Sequence, residues 1–148
     1  MKSRLVTRTF VPMAMNARLC AVTIDCSDPV QLALFYQQFL GGTLYSSNND
    51  FVVLSTDSDV RLDFQRVPND QPPPWPDRAA PRRLHLDFIV DDLDKAEIHL
   101  LGLGAVLADS QPGGQRFRVL LDPAGHPFCL ATAAAAAIPS ERATESAN

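Results

Sequence analysis

Arg83-Leu84-His85-Leu86-Asp87-Phe88-Ile89-Val90-Asp91-Asp92 is the stretch on which the fold of this chain turns. Strict alternation puts Leu84, Leu86, Phe88 and Val90 on one face of a predicted strand and His85, Asp87 and Ile89 on the other. The apolar row asks for a core, and the opposite row sets an imidazole and a carboxylate roughly 7 Å apart, because residues i and i+2 share a face. Such a wall suits a cavity, so His85 is expected inside a concave hollow.

Outward from this strand, Asp92 reads as the cap of a helix that runs through Leu103 to Gly104. Strands are then expected at 105–108, 115–121 and 127–131, the last entered through the tight turn Asp122-Pro123-Ala124-Gly125. The first half has the same grammar. A strand over 19–26 alternates Cys20, Val22, Ile24 and Cys26 with Ala21, Thr23 and Asp25, and Asp28 caps a helix with Pro29 at its first position and Gln31 placed to reach back. Leu32, Phe35, Tyr36, Phe39 and Leu40 form one apolar stripe, and Gly41-Gly42 supplies the left-handed end. Strands at 43–46, 51–56 and 60–67 follow, separated by turn-forming clusters. The cap aspartates Asp28 and Asp92 lie 64 positions apart and the terminal glycines Gly41 and Gly104 lie 63 apart, the signature of a duplicated module with one deletion in the second helix.

The domain is therefore read as residues 17–131, with module one at 19–67, a Pro-rich linker at 68–82 and module two at 83–131. Proline removes the backbone donor and restricts its neighbour, which keeps most of the linker out of helix and strand. Trp75 within it either covers a pocket or pins the linker to the body, and pinning is the preferred reading. Residues 1–16 are expected to be a flexible extension, with Met15 as an alternative start just before the first patterned strand, and the Ala-rich then polar segment 132–148 is expected to be disordered.

Composition narrows the function classes. The chain has 148 residues, 46% hydrophobic and 20% charged, as ordinary globular domains do. Its 13 Lys and Arg are outnumbered by 17 Asp and Glu, for a formal charge of −4, which argues against nucleic acid as a partner. No stretch is long and apolar enough for a membrane span, and Pro12 interrupts the short apolar run near the start. Three cysteines, Cys20, Cys26 and Cys129, form no Cys-x-x-Cys pair and fit reduced thiols in a cytoplasmic protein.

His85 is the strongest candidate for chemistry, as acid/base with Asp87 as its partner, because imidazole titrates near neutrality. Asp25, Gln65, Arg116 and Arg118 share the polar parity of their strands and are expected to line the cavity, with Trp75 joining them on its alternative, pocket-covering reading; the arginine pair suits an anionic group. His99, in the place that Phe35 holds in the first module, is read as a partly exposed packing residue, and His126 as a solvent-facing or turn-capping residue with no role.

Taken together, Phe35-Tyr36, Leu40-Gly41, the run His85 to Leu93 and Asp122-Pro123-Ala124-Gly125 resemble the vicinal oxygen chelate superfamily, which includes glyoxalase I, bleomycin-resistance proteins and extradiol dioxygenases. With Phe128-Cys129-Leu130 after the turn, the chain is most similar to the small glyoxalase-like proteins of actinobacteria, over Leu19 to Ala131. The resemblance implies an α+β fold: two tandem βαβββ modules forming a curved, partly closed mixed sheet around a cavity, helices outside. It carries the family's metal-ligand positions onto Ala21, Asp63, His85 and Cys129. Ala21 has no donor atom, so a degenerate metal site is expected, with no cofactor favoured and a zinc-like ion on Asp63, His85 and Cys129 as the alternative. The implied function is binding of a small organic metabolite or antibiotic. The alternative is a lyase, isomerase or epimerase using His85 with Asp63 or Asp87, with or without a divalent metal. Family analogy also implies a homodimer.

Overall fold

The computed structural model describes residues 17–137. The expected extension over 1–16 and most of the expected tail, from 138 on, lie outside these residues. Strand β1 (Ala21–Cys26) leads into helix α1 (Pro29–Leu40) and strands β2 (Thr43–Asn48), β3 (Phe51–Ser55) and β4 (Arg61–Arg66). The second module repeats this order in β5 (Leu86–Ile89), α2 (Leu93–Gly102), β6 (Val106–Leu107), β7 (Phe117–Leu121) and β8 (Pro127–Ala131). Each module is a four-stranded mixed sheet, ordered β1-β4-β3-β2 and β5-β8-β7-β6, in which only the β1–β4 and β5–β8 pairs are parallel. The duplication extends to register: Thr23 stands opposite Asp63 in the first sheet, and Asp87 opposite Cys129 in the second.

Both helices start as their caps require. Asp28 Oδ1 accepts from the Gln31 amide and Asp92 Oδ1 from the Lys95 amide, each at 3.0 Å, leaving fewer orphan donors in the first turn. The reciprocal bond from the Gln31 side chain is not formed among the described residues; the Gln31 side chain is exposed at the helix start. After α1 the chain turns through Gly42 at φ +96°, where an added Cβ would run into the Ser55 carbonyl, so only glycine closes this turn.

The core lies under α1. Leu32, Phe35 and Tyr36 are buried against Leu54, Leu62 and Phe64 of their own sheet. The same helix also meets the second sheet: the Phe39 and Phe88 rings pack edge-on at 5.0 Å, and Tyr36 lies 6.2 Å from Phe88. One helix thus packs both modules, which explains why its stripe carries three aromatic residues. Helix α2 covers the other sheet more lightly, with Leu100 fully buried and Ile98 72% exposed.

Three local expectations are corrected. Leu84 and His85 precede β5 instead of belonging to it, and Leu84 is 71% exposed, because β5 pairs with β8 only from Leu86 onward. Cys20 likewise lies before β1 and is exposed. Where disorder is expected from 132 onward, Thr132 caps one helical turn, Ala133–Ala136, by accepting from the Ala135 amide.

Candidate functional site

Strand β1 and the approach to β5 are the facing edges of the two sheets, and between them lies a cavity of about 240 Å³. Its walls are chiefly apolar, from Val22, Ile24, Leu84, Leu86 and Pro127. Because β1 is an edge strand, Thr23 and Asp25 line the cavity as well, and the segment leading into β5 adds Arg82, Arg83 and His85. Helix α1 contributes Tyr36, and the turn before β8 contributes His126. An apolar hollow with a few convergent polar groups is the usual form of a small-molecule site.

Behind this cavity Asp122 is buried, with only 3% of its surface exposed. Its Oδ2 accepts from Tyr36 Oη at 2.9 Å, and its Oδ1 accepts from the amides of Ala124 and His126 at 2.9 and 3.0 Å. The His126 ring completes the set, its Nδ1 3.2 Å from Oδ1. A buried carboxylate so fully engaged is held rigidly, and it acts on its neighbours. Burial, then the charge and hydrogen bond of Asp122, push the Tyr36 phenol well above its ordinary range and keep it protonated. For His126, burial pulls the imidazole down, but the hydrogen bond and charge of Asp122, helped by Asp70, outweigh burial and the opposing Arg82 and raise it.

On the sheet itself, ligand atoms of His85, Asp87 and Cys129 lie within 4.8 Å of one another. His85 Nε2 is 3.4 Å from Asp87 Oδ1, and both side chains are open to solvent, at 48% and 68% exposure. The imidazole is therefore half exposed on the cavity wall, where the sequence reading expects it enclosed. Cys129 is buried, and burial followed by the charge and hydrogen bonding of Asp87 pushes its thiol up to about 11. Imidazole, carboxylate and thiolate are all zinc donors, so the donor set fits a zinc-like ion that would polarise a bound oxygen. The thiol must first lose its proton, which its surroundings oppose.

Several expected site residues stand elsewhere. Asp63 is buried, and both of its oxygens are taken by Arg61, at 2.9 Å from Nε to Oδ1 and 3.1 Å from Nη2 to Oδ2; it is not part of the His85 group. Arg118 faces the helices, because it shares parity with Leu120, and it pairs with Glu97 at 3.2 Å and Asp94 at 3.5 Å on α2. Arg116 is exposed ahead of β7, and Gln65 is exposed opposite Asp25 without lining the cavity. Trp75 packs on Ala108, Val119 and Cys129, with Phe117 and Leu121, so the linker is fastened across the second sheet. His99 is exposed on α2. Of the expected ligand-binding residues, Asp25 lines the cavity beside His85.

The residues that sequence reasoning missed are Tyr36, Arg82, Arg83, Asp122 and His126. His126 takes the turn-capping place of its two expected ones, bonded to Asp122 with its ring 26% exposed; what differs is that the ring also lies on the cavity wall. One signal was available, since the Asp122 turn ends at Gly125 with φ +86°, which returns the next residue toward the turn's first side chain. Nothing in the spacing of Tyr36 and Asp122, 86 positions apart, points to their contact.

No curated protein sequence matches the chain significantly. Among solved structures it is similar to a glyoxalase/bleomycin resistance protein/dioxygenase family enzyme from Burkholderia phytofirmans, at 22% identity and TM-score 0.60, over 78% of this chain and 98% of that one. It is also similar to a protein described as a possible glyoxalase from Bacillus cereus, at 17% identity and TM-score 0.59, over 80% and 99% of the two chains. A third is the fosfomycin resistance protein FosX from Listeria monocytogenes, complexed with Mn(II) and a dihydroxypropylphosphonic acid, at 16% identity and TM-score 0.59, over 79% and 90%. At such identities the likeness is one of fold. The glyoxalase-like domain profile matches residues 21–131, from the first residue of β1 to the last of β8, and the chain belongs to the glyoxalase-like family of the vicinal oxygen chelate fold.

Proposed function

We propose that this protein binds a small organic metabolite or antibiotic in the cavity between β1 and β5, and that its metal site is degenerate. The single observation that carries this reading is the cavity itself: about 240 Å³, apolar on most sides, with Asp25, His85, Arg82 and His126 converging on it. Erosion of the family's ligand set supports the second half, since Ala21 offers no donor and Asp63 is occupied by Arg61. The test is a library screen by ligand-observed NMR, repeated on Val22→Trp, which fills the cavity. Hits lost in that variant support the reading, whereas hits that survive it place binding elsewhere and overturn it.

A second reading rests on a different observation, the His85, Asp87 and Cys129 group. In it the protein is a lyase, isomerase or epimerase in which His85, held by Asp87, moves a proton on the bound molecule, with or without a divalent ion. Turnover of a cavity ligand that is abolished by His85→Ala separates this reading from simple binding. We further read the protein as a cytoplasmic homodimer, supported by its three free cysteines and by exposed apolar residues such as Tyr45 and Val106 on the outer strands β2 and β6. Among the described residues no helix is long and apolar enough to cross a membrane. Light scattering that gives a monomer at micromolar concentration would remove the dimer from this account.

A further inference from the structure

We infer that the cavity ligand is an organic monocarboxylate, its charged end held by Arg82 and His126 and its carbon skeleton lying along Val22, Ile24 and Leu86. The inference rests on the binding reading above and names the chemical class that the site takes.

Arg82 is held differently from the arginines that are ion-paired in this fold. Arg61, Arg66 and Arg118 are each paired with a carboxylate, on Asp63, Asp50 and Glu97 respectively. Among the described residues Arg82 has no carboxylate within ion-pair distance. Its Nη2 donates only to neutral carbonyls, those of Pro73 and, at 3.4 Å, Gly125. Among the described residues its Nε is the one buried side-chain nitrogen or oxygen that lacks a hydrogen-bond partner. A guanidinium fastened through one nitrogen to the linker and the Asp122 turn, with its charge unanswered, is an incomplete arrangement. A carboxylate in the cavity that Arg82 lines answers the charge, since guanidinium donors match carboxylate oxygens in geometry as well as charge, whereas Nε itself is closed to solvent and is reached only if the side chain shifts.

His126 supplies the second contact. Its Nδ1 is taken up by Asp122, which leaves Nε2 as the ring atom free for a ligand, and the ring lines the same cavity as Arg82. The buried Asp122 and nearby Asp70 favour its protonated form, in which Nε2 donates. The rest of the wall sets the remaining limits. Asp25 and Arg83 line the cavity with opposite charges, and the His126 ring is answered by Asp122, so Arg82 leaves one positive charge for a ligand to meet, which suits a monoanion. The apolar majority of the lining favours an acid with a hydrocarbon body, and a volume equal to roughly eight liquid waters accommodates one of about the size of benzoate.

The experiment titrates the full chain with butyrate, hexanoate, benzoate and phenylacetate, with the neutral amide of each, and with inorganic phosphate, followed by two-dimensional NMR. At least one acid is expected to saturate in the millimolar range or below, to shift the amides of Val22 to Asp25 and of His126, and to bind at least tenfold more tightly than its amide. His126→Gln is expected to weaken that acid about threefold to tenfold and to leave the amide unchanged. Arg82→Gln is expected to abolish the preference for acid over amide; if that variant fails to fold because the linker is released, Arg82→Lys and the wild-type ratio decide instead. Amides that bind as well as acids at the same residues overturn the carboxylate and leave the binding cavity standing. Failure of every acid to bind, or phosphate binding more tightly than any of them, also overturns it. Binding that shifts only residues remote from β1 and His126 overturns both.

Discussion

Tyr36 Oη donates a 2.9 Å hydrogen bond to Asp122 Oδ2, joining the helix of the first module to the last turn of the second across 86 residues. Tyr36 is 1% exposed and Asp122 3%, so no solvent replaces either partner. Removing the phenol oxygen leaves a buried carboxylate one donor short. Tyr36→Phe is therefore expected to destabilise the protein by about 1–3 kcal/mol despite keeping its shape, because an unsatisfied buried acceptor bears its full desolvation cost. Urea unfolding measures it. A loss below a few tenths of a kcal/mol would mean that the bond does not hold the modules together.

The other oxygen of the same carboxylate predicts a dependence on pH. Folding raises the His126 pKa above 6.5, because the hydrogen bond and charge of Asp122, with Asp70, outweigh burial and the opposing Arg82; Tyr36 on α1 is the remaining polar neighbour, neutral at these pH values. A raised imidazole binds its proton more tightly in the folded state, so its contribution is complete below about pH 6.5 and is lost as pH rises through the elevated folded value. Wild type is expected to lose stability between pH 6 and 9 relative to His126→Gln, and the difference between the two curves reports this group alone. Parallel curves would show that His126 carries no folding-linked proton.

The sequence displayed the architecture far better than the site, and the reason is physical. Alternation and capping are local: Asp28, Asp92 and the Asp122 turn act within three or four residues, and each appears where the pattern puts it. The cavity is assembled from the edges of two sheets, and no local pattern says which edges face each other. Parity placed Arg118 on the polar side of β7, yet the polar side of Arg118 is the helix face, where Glu97 and Asp94 on α2 receive it. Arg82 lies in a segment without periodicity, so its place beside His126 was invisible until the linker's path was known.

The three thiols are predicted to react at different rates. Cys20 is exposed, whereas Cys26 and Cys129 are buried. Burial pushes each of these two up to about 11, with Asp122 the next influence on Cys26 and Asp87 on Cys129. Only thiolates attack disulfide reagents, so native protein should show one fast thiol at neutral pH. Trp75 packs in the same small cluster as Cys129. Trp75→Ala is expected to raise the fast count to two without loss of secondary structure by circular dichroism. A fast count that Trp75→Ala leaves unchanged would contradict the packing of the linker over Cys129.

The remaining prediction concerns metal. His85, Asp87 and Cys129 bring three zinc-type donors within 4.8 Å, but three features weaken the site. Two of the three side chains are about half exposed or more, so neither is fixed by packing. The thiol must release a proton held near pH 11, which makes affinity at neutral pH steeply dependent on pH. The fourth candidate, Asp63, is bound by Arg61 at both oxygens. Elemental analysis of the purified protein is therefore expected to find well under one equivalent of zinc, and Co(II) added at pH 7 is expected to give no intense thiolate charge-transfer band. Raising the pH toward 9 should allow the band to appear, and Cys129→Ser and His85→Ala should each prevent it. A full equivalent of zinc carried through purification at pH 7, and lost in His85→Ala, would reverse the degenerate-site reading and make metal-assisted chemistry at His85 the reading to pursue.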